Sequence, residues 1–341
     1  MEAKHLLVIR NSALGDVAMT VPVLHQLLQQ YPQLQLTVVT TPAFAPVFAA
    51  LERTKVIGLE KRGRHKGFLG IYKLFRELRS DNRFDAVADL HNVLRSKVLR
   101  SLFLFAGTRV AKIDKGRKEK KELTIKENKK LVQLKTSFER YADVFAELGF
   151  PVKLDRNKQT YPRQSLPSSA ASLFVPGKKY IGIAPFAKHG EKMYPVDRML
   201  AVIQQLHSTD QHQLFLIGGG KEEVKLLNEW AGQFPGVTNL AGKFSFGEEL
   251  AIISNLDKMI SMDSANMHLA SLFGVPVVSI WGATHPYAGF YGWGQKAENA
   301  AQVDLYCRPC SVFGNKPCYR GDHACMEQLP ESLVIEKVSQ I

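Results

Sequence analysis

The stretch His5-Leu6-Leu7-Val8-Ile9-Arg10-Asn11-Ser12-Ala13-Leu14-Gly15-Asp16 runs a short apolar strand into a turn that carries a carboxylate. Far down the chain, Asp263-Ser264-Ala265-Asn266-Met267-His268-Leu269-Ala270 follows another apolar strand in the same way. Each is a strand-to-helix junction. In an open α/β sheet the carboxyl ends of the strands face the ligand crevice, so two such junctions in two halves predict one cleft between two domains. One junction would supply the carboxylate and the other an anion-binding helix start.

Working outward from these junctions, buried-strand candidates alternate with helical patterns, the βαβ signature of a parallel sheet. In the first half the strands are expected at 6–9, 34–41, 56–59, 84–90 and 109–113, with helices ending near Tyr31-Pro32 and covering 70–79. A long helix is expected from about Leu131 to Leu148, stopped by Gly149 and Pro151. In the second half the strands are expected at 180–184, 214–217, 237–240, 258–261 and 275–280. The helix from Ser264 to Phe273 is bounded by Asp263 as N-cap, Gly274 as C′ residue and Pro276 beyond. The fold class is thus α/β, two Rossmann-like doubly wound domains. The expected boundaries are 1–155 for the first domain, 156–178 for a Pro- and Ser-rich linker, 179–329 for the second domain, and 330–341 for a C-terminal helix returning to the first.

Composition bounds the function. The chain has 341 residues, 45% hydrophobic and 23% charged, which are globular values. No apolar run approaches the roughly 20 residues of a membrane span, and the apolar stretch at 6–9 is too short for a signal peptide, so a cytoplasmic location is expected. The net charge of +13 calls for an anionic partner. It is concentrated in the first half: Lys61-Arg62-Gly63-Arg64-His65-Lys66, and nine Lys or Arg against four Asp or Glu between Lys112 and Lys130. A nucleic-acid binder is disfavoured because these runs lack interleaved aromatics. A dinucleotide oxidoreductase would need a G-x-G-x-x-G after its first strand, where only Gly15 is present.

The segment Arg10-Asn11-Ser12-Ala13-Leu14-Gly15-Asp16-Val17 with Pro22 resembles the first motif of the bacterial lipopolysaccharide heptosyltransferase family, transferases of glycosyltransferase family 9 with the two-domain GT-B architecture. Asp89-Leu90-His91 with Arg95-Ser96, Lys192 ahead of Tyr194-Pro195, Asn239 to Lys243, Asp263 to Ala270, and Pro276 with Trp281 to Thr284 match in order. The resemblance implies inverting, metal-independent transfer of a sugar, usually heptose from ADP-heptose, onto an anionic lipid-linked core sugar at the inner membrane surface. A GT-B transferase using another sugar nucleotide, or a GT-B sugar-nucleotide epimerase, shares the fold and stays open.

Such a reaction needs a base for the acceptor hydroxyl and stabilisation of the departing diphosphate. Asp16, on a Gly-containing turn, is the expected base; a helix-capping role is its alternative. For the donor, the helix start at Ser264 and Ala265 offers free N–H groups, with Asp263 before it and His268 one turn on; Ala265 replaces the family's usual Gly. Lys192 supplies a point charge in place of a metal. Gly220, with Glu222 or Glu223, suits a ribose, and Phe244 matches a family position that packs on the base. Acceptor binding is expected of Ser12, Gly15, Arg62, Arg64, Lys66, His91, Arg95, Lys115, Arg117, Lys118 and Lys120. Cys307, Cys310, Cys318 and Cys325 lie within nineteen residues, and both a structural zinc and reduced thiols in a packed loop remain open. No cofactor, nucleic-acid or protein partner is otherwise implied.

Overall fold

The apolar runs pair, in a computed structural model that describes residues 4–81 and 83–341, into two all-parallel sheets. In chain order the first holds β1 (Lys4–Ile9), β2 (Leu34–Thr40), β3 (Thr54–Gly58), β4 (Ala86–Asp89) and β5 (Arg109–Lys112). Its spatial order is β3-β2-β1-β4-β5, with Ile9 of β1 beside Val39 on one side and Asp89 on the other. The second sheet holds β6 (Lys179–Ala184), β7 (His212–Leu216), β8 (Thr238–Asn239), β9 (Lys258–Met262), β10 (Val277–Ile280) and β11 (Ala300–Ala301). It is ordered β8-β7-β6-β9-β10-β11, the doubly wound 3-2-1-4-5-6 pattern. All ten expected strands form, within about two residues of their expected ends, and the two-residue edge strand β11 is an addition. Leu6, Leu7, Val8 and Ile9 are fully buried, as a central strand covered on both faces requires.

The chain divides into two units, each with its own core. The first comprises residues up to Lys115 together with Thr136–Arg156; the second comprises Gly116–Lys135 and Asn157–Ile341. The basic segment 116–135 therefore folds with the second unit, against the expectation that 1–155 is continuous. The reason is local packing: Leu123 and Leu134 join Ala288 in a small apolar cluster, and the Leu134 N–H donates to the Tyr287 carbonyl at 2.9 Å.

Three further expectations are corrected. The stretch 156–178 is not a free spacer. Gln26 and Gln30 bind the backbone of Asp155 and Lys153, whereas Gln159 donates to the Tyr161 and Phe273 carbonyls at 2.7 and 2.8 Å. The changeover is thus a single step after Arg156. The C-terminal helix Glu331–Gln340 packs within the second unit: Val334 and Val338, one turn apart, join its core, and Lys258 donates to the Val338 carbonyl at 2.6 Å. The helix drawn from Leu131 begins only at Ser137, because Thr136 and Glu139 form a reciprocal capping box. Among the described residues no helix is long and apolar enough to cross a membrane.

Candidate active site

In the first unit the turn after β1 places Asp16 in the first turn of the short helix Leu14–Ala18. Its carboxylate is clamped by the Arg10 guanidinium at 2.5 Å and accepts from the Ala13 N–H at 3.3 Å, yet the side chain keeps 36% of its exposure. Arg10 is buried and anchored by donation to the Leu90 carbonyl at 2.7 Å. The Tyr141 ring lies 5.9 Å from the guanidinium, and its hydroxyl donates to the Asp16 carbonyl at 3.3 Å. Gly15 lies in the same helical turn as Asp16. This is a carboxylate oriented from behind and open in front.

Further basic side chains share this neighbourhood. Lys61 donates to the Ser12 hydroxyl at 3.1 Å, and burial followed by the charge of Arg95 pushes its ammonium below the usual lysine range. His91 is held by a buried relay: Asp89 accepts from the His91 and Asn92 N–H groups at 3.0 and 2.8 Å and pairs with Arg100 at 2.9 Å. Burial, then the neighbouring charges of Arg10 and Lys115, pushes the His91 imidazole down to about 3, so it is neutral at physiological pH. Ser12, Gly15, Asp16, His91, Arg95 and Lys115 therefore fall in one neighbourhood of the first unit.

The rest of the expected acceptor set is placed otherwise. The knot at 61–66 delivers Lys61 to Ser12, whereas Arg62 and Lys66 face solvent and Arg64 pairs with Glu60 at 3.1 Å and Glu77 at 3.8 Å. Buried His65, between the Glu60 N–H and Glu77, fixes that turn. Arg117, Lys118 and Lys120 belong to the segment that folds with the second unit; Lys120 is buried with its ammonium 4.3 Å from the Phe290 ring centre. Arg10, Lys61 and Tyr141 are the additions. The basic residue within the first motif was a visible signal for Arg10, while nothing local in sequence points to Tyr141.

In the second unit the turn after β9 buries Asp263, which pairs with Lys192 at 2.9 Å and accepts from the Thr284 hydroxyl at 2.9 Å. Asp263 thus holds Lys192 instead of capping the next helix. Ser264 occupies the N-cap position, with no side-chain cap, and its hydroxyl lies 3.1 Å from that of Ser261. Ala265 opens the helix Ala265–Leu272, half-buried, and His268 is buried one turn on. Lys192 and the helix start converge, as diphosphate binding requires. At the Gly-rich turn after β7, Gly220 is the N-cap of the helix Lys221–Gln233. Glu223 turns back to accept from the Gly219 and Gly220 N–H groups at 2.8 and 3.2 Å, so this carboxylate serves its own helix and leaves exposed Glu222 as the ribose candidate. Phe244 is half-buried just ahead of the helix Phe246–Ser254.

The four cysteines are free thiols that follow β11, Cys307, Cys310 and Cys318 in loops and Cys325 in the short helix Ala324–Glu327. Among the described residues no group of three or more His, Cys, Asp or Glu side chains is arranged to hold a metal ion. Half-buried Lys129 and buried Arg308 order the loop: Lys129 donates to the Cys307 and Pro309 carbonyls at 2.7 and 2.9 Å, and Arg308 donates to the Gly282 and Thr284 carbonyls.

Two Rossmann-type units, one presenting a clamped carboxylate among cations and the other a lysine at a helix start, are those of a two-domain group transferase. Residues 71–317 match the family described as Glycosyltransferase family 9 (heptosyltransferase), and the chain belongs to that family. It is similar to lipooligosaccharide heptosyltransferase 2 of Campylobacter jejuni, 23% identical over 333 residues and covering 96% of each chain. Among solved structures it resembles a glycosyl transferase family 9 protein of Veillonella parvula, at a TM-score of 0.78 and 19% identity over 100% of this chain and 97% of that one. It also resembles the Escherichia coli heptosyltransferase WaaC with ADP-2-deoxy-2-fluoro heptose, at a TM-score of 0.69 and 20% identity, covering 98% and 99%.

Proposed function

We propose that this glycosyltransferase moves a heptose from ADP-heptose onto a core sugar of a lipopolysaccharide or lipooligosaccharide, with inversion, without a metal, and at the cytoplasmic face of the inner membrane. The observation that carries the reading is Asp16, a carboxylate held by Arg10 beside His91, whose surroundings also include Lys61 and Lys115. A base among cations suits an acceptor that is itself anionic, because the cations bind phosphate or carboxylate groups while the base meets the hydroxyl.

In this mechanism Asp16 takes the proton of the acceptor hydroxyl as its oxygen forms the new bond to the anomeric carbon. The bond from that carbon to the diphosphate breaks, and its electron pair leaves on ADP. Lys192 and the N–H groups at the Ala265 helix start meet the added charge, the work a divalent metal would otherwise do. His91, neutral, is left as a hydrogen-bonding partner for the acceptor and adds no positive charge beside Asp16. The heptosyltransferases among its relatives support this choice of donor and acceptor.

The test is incubation with a heptose-deficient glycolipid and a panel of sugar nucleotides in EDTA, read by mass spectrometry of the product. Gain of one heptose from ADP-heptose alone is the expected result. Transfer only from another sugar nucleotide, or a strict need for Mg²⁺, would overturn the donor or the metal-free part of the reading. Epimerised nucleotide without transfer would replace the reading altogether.

A further inference from the structure

The helix Gly67–Asp81 carries two stripes at i, i+3, i+4, i+7 spacing. Ile71, Leu74, Phe75 and Leu78 face the core of the first unit, as an amphipathic helix should. Leu69, Tyr72, Lys73 and Arg76 form a second stripe, and all four are exposed. Leu69 is 81% exposed and Phe68 beside it 64%; Leu94, at the first position of the neighbouring helix Leu94–Phe105, is 78% exposed. Large apolar side chains grouped this way on a surface mark a contact with something apolar.

Their position is informative. Both helices start after the carboxyl ends of β3 and β4, the sheet edge on which Asp16 follows β1. Lys61 ties the loop ahead of the first helix to Ser12, and Arg95 follows Leu94. The charge around the apolar tips is one-sided: Lys66, Lys73, Arg76 and Lys97 are exposed, while the one acidic residue within 61–80, Glu77, lies near Arg64 and His65. Apolar tips within a cationic rim, with a tyrosine at the border, match an anionic bilayer: the tips enter the acyl boundary and the lysines and arginines reach the head groups.

We infer that Phe68, Leu69, Tyr72 and Leu94 form a membrane-inserting lip that seats the first unit on anionic lipid beside Asp16. The inference deepens the proposed reaction, since it rests on a lipid-linked acceptor, but its first test needs no turnover. In sedimentation with vesicles, the full-length protein binds phosphatidylglycerol-containing vesicles and not pure phosphatidylcholine, and added salt weakens the binding. The double variant F68S/L69S lowers partitioning by about tenfold or more, and K73E/R76E lowers it on phosphatidylglycerol while leaving the fold intact. Unchanged melting temperature and ADP binding show that each variant is folded. In turnover, F68S/L69S raises KM for the vesicle-embedded glycolipid and leaves KM for the deacylated acceptor at the wild-type value.

Wild-type vesicle binding by F68S/L69S overturns the lip. So does light scattering that shows a wild-type dimer made monomeric by that variant with no vesicle binding, which makes a second copy the occupant. Absence of turnover on the deacylated acceptor by the wild type, with vesicle binding intact, counts against the proposed reaction and leaves the lip standing.

Discussion

At the residue scale the two working groups are built differently. Asp16 is restrained but open, so Asp16→Asn, which keeps the shape and removes the basicity, is expected to lower kcat by about a hundredfold or more with little change in ADP affinity. Single-turnover kinetics with isothermal titration of ADP reads both quantities. Lys192 is 15% exposed and paired with a carboxylate of 8% exposure, so its loss has two consequences. Lys192→Ala should weaken ADP by about 1.5–3 kcal/mol, the range for hydrogen bonds to charged groups. It should also lower the melting temperature, because Asp263 is left buried with the Thr284 hydroxyl donating to it and its cation gone. Full ADP affinity in that variant would remove Lys192 from the diphosphate site. His91 gives a pH signature. Its folded pKa, about 3, lies below the usual 6.5, so its contribution to stability is present above pH 6.5 and is lost as pH falls toward 3. His91→Gln should therefore gain about 1 kcal/mol relative to wild type at pH 5, after allowance for partial exposure, and nothing at pH 8. Urea unfolding at the two pH values decides it.

At the element scale, what was legible in the sequence is what local chemistry dictates. The ten strands follow from continuous apolar runs such as Leu6 to Ile9, which have to be buried on both faces. The helix starts were read less well, because capping is a competition among neighbours. Asp263 has good cap chemistry, but Lys192, distant in sequence, draws its carboxylate away. Glu223 has good ribose chemistry, but its own helix start uses it. Thr136 and Glu139 were a readable capping box inside a stretch whose apolar Leu131, Val132 and Leu134 suggested an earlier start. That box sets where the chain rejoins the first unit. Thr136→Ala should cost about 1 kcal/mol by chemical denaturation, the usual value of a lost N-cap, and Thr136→Ser should cost much less. Equal losses in the two variants would assign the effect to packing of the threonine methyl group.

At the scale of the whole molecule, charge alone misleads about where a segment belongs. Residues 112–130 read as a solvated basic loop beside the acceptor because sequence reports the sign of a side chain and not what its stem or ammonium touches. In the structure the segment splits at Lys115: that residue stays with the His91 and Asp16 cluster, and the remainder folds with the second unit. The helix Arg117–Thr124 buries Lys120 and Leu123 and exposes Arg117 and Lys118. Lys120 sits over the Phe290 ring, an arrangement in which a cation is attracted by the ring quadrupole and by contact of its stem with apolar neighbours. Reversing the charge there would bring a carboxylate to the negative face of an aromatic ring in a largely desolvated position. Lys120→Glu is therefore expected to lower stability by about 1–3 kcal/mol, whereas Arg117→Glu and Lys118→Glu, on the exposed face, should stay within about 0.5 kcal/mol of wild type. Lys120→Met, which keeps the stem and removes the charge, should recover most of the loss if packing dominates and little if the cation–ring attraction dominates. Thermal denaturation of the four single variants separates these outcomes, and a Lys120→Glu protein as stable as the wild type would show that this basic segment is a surface loop after all.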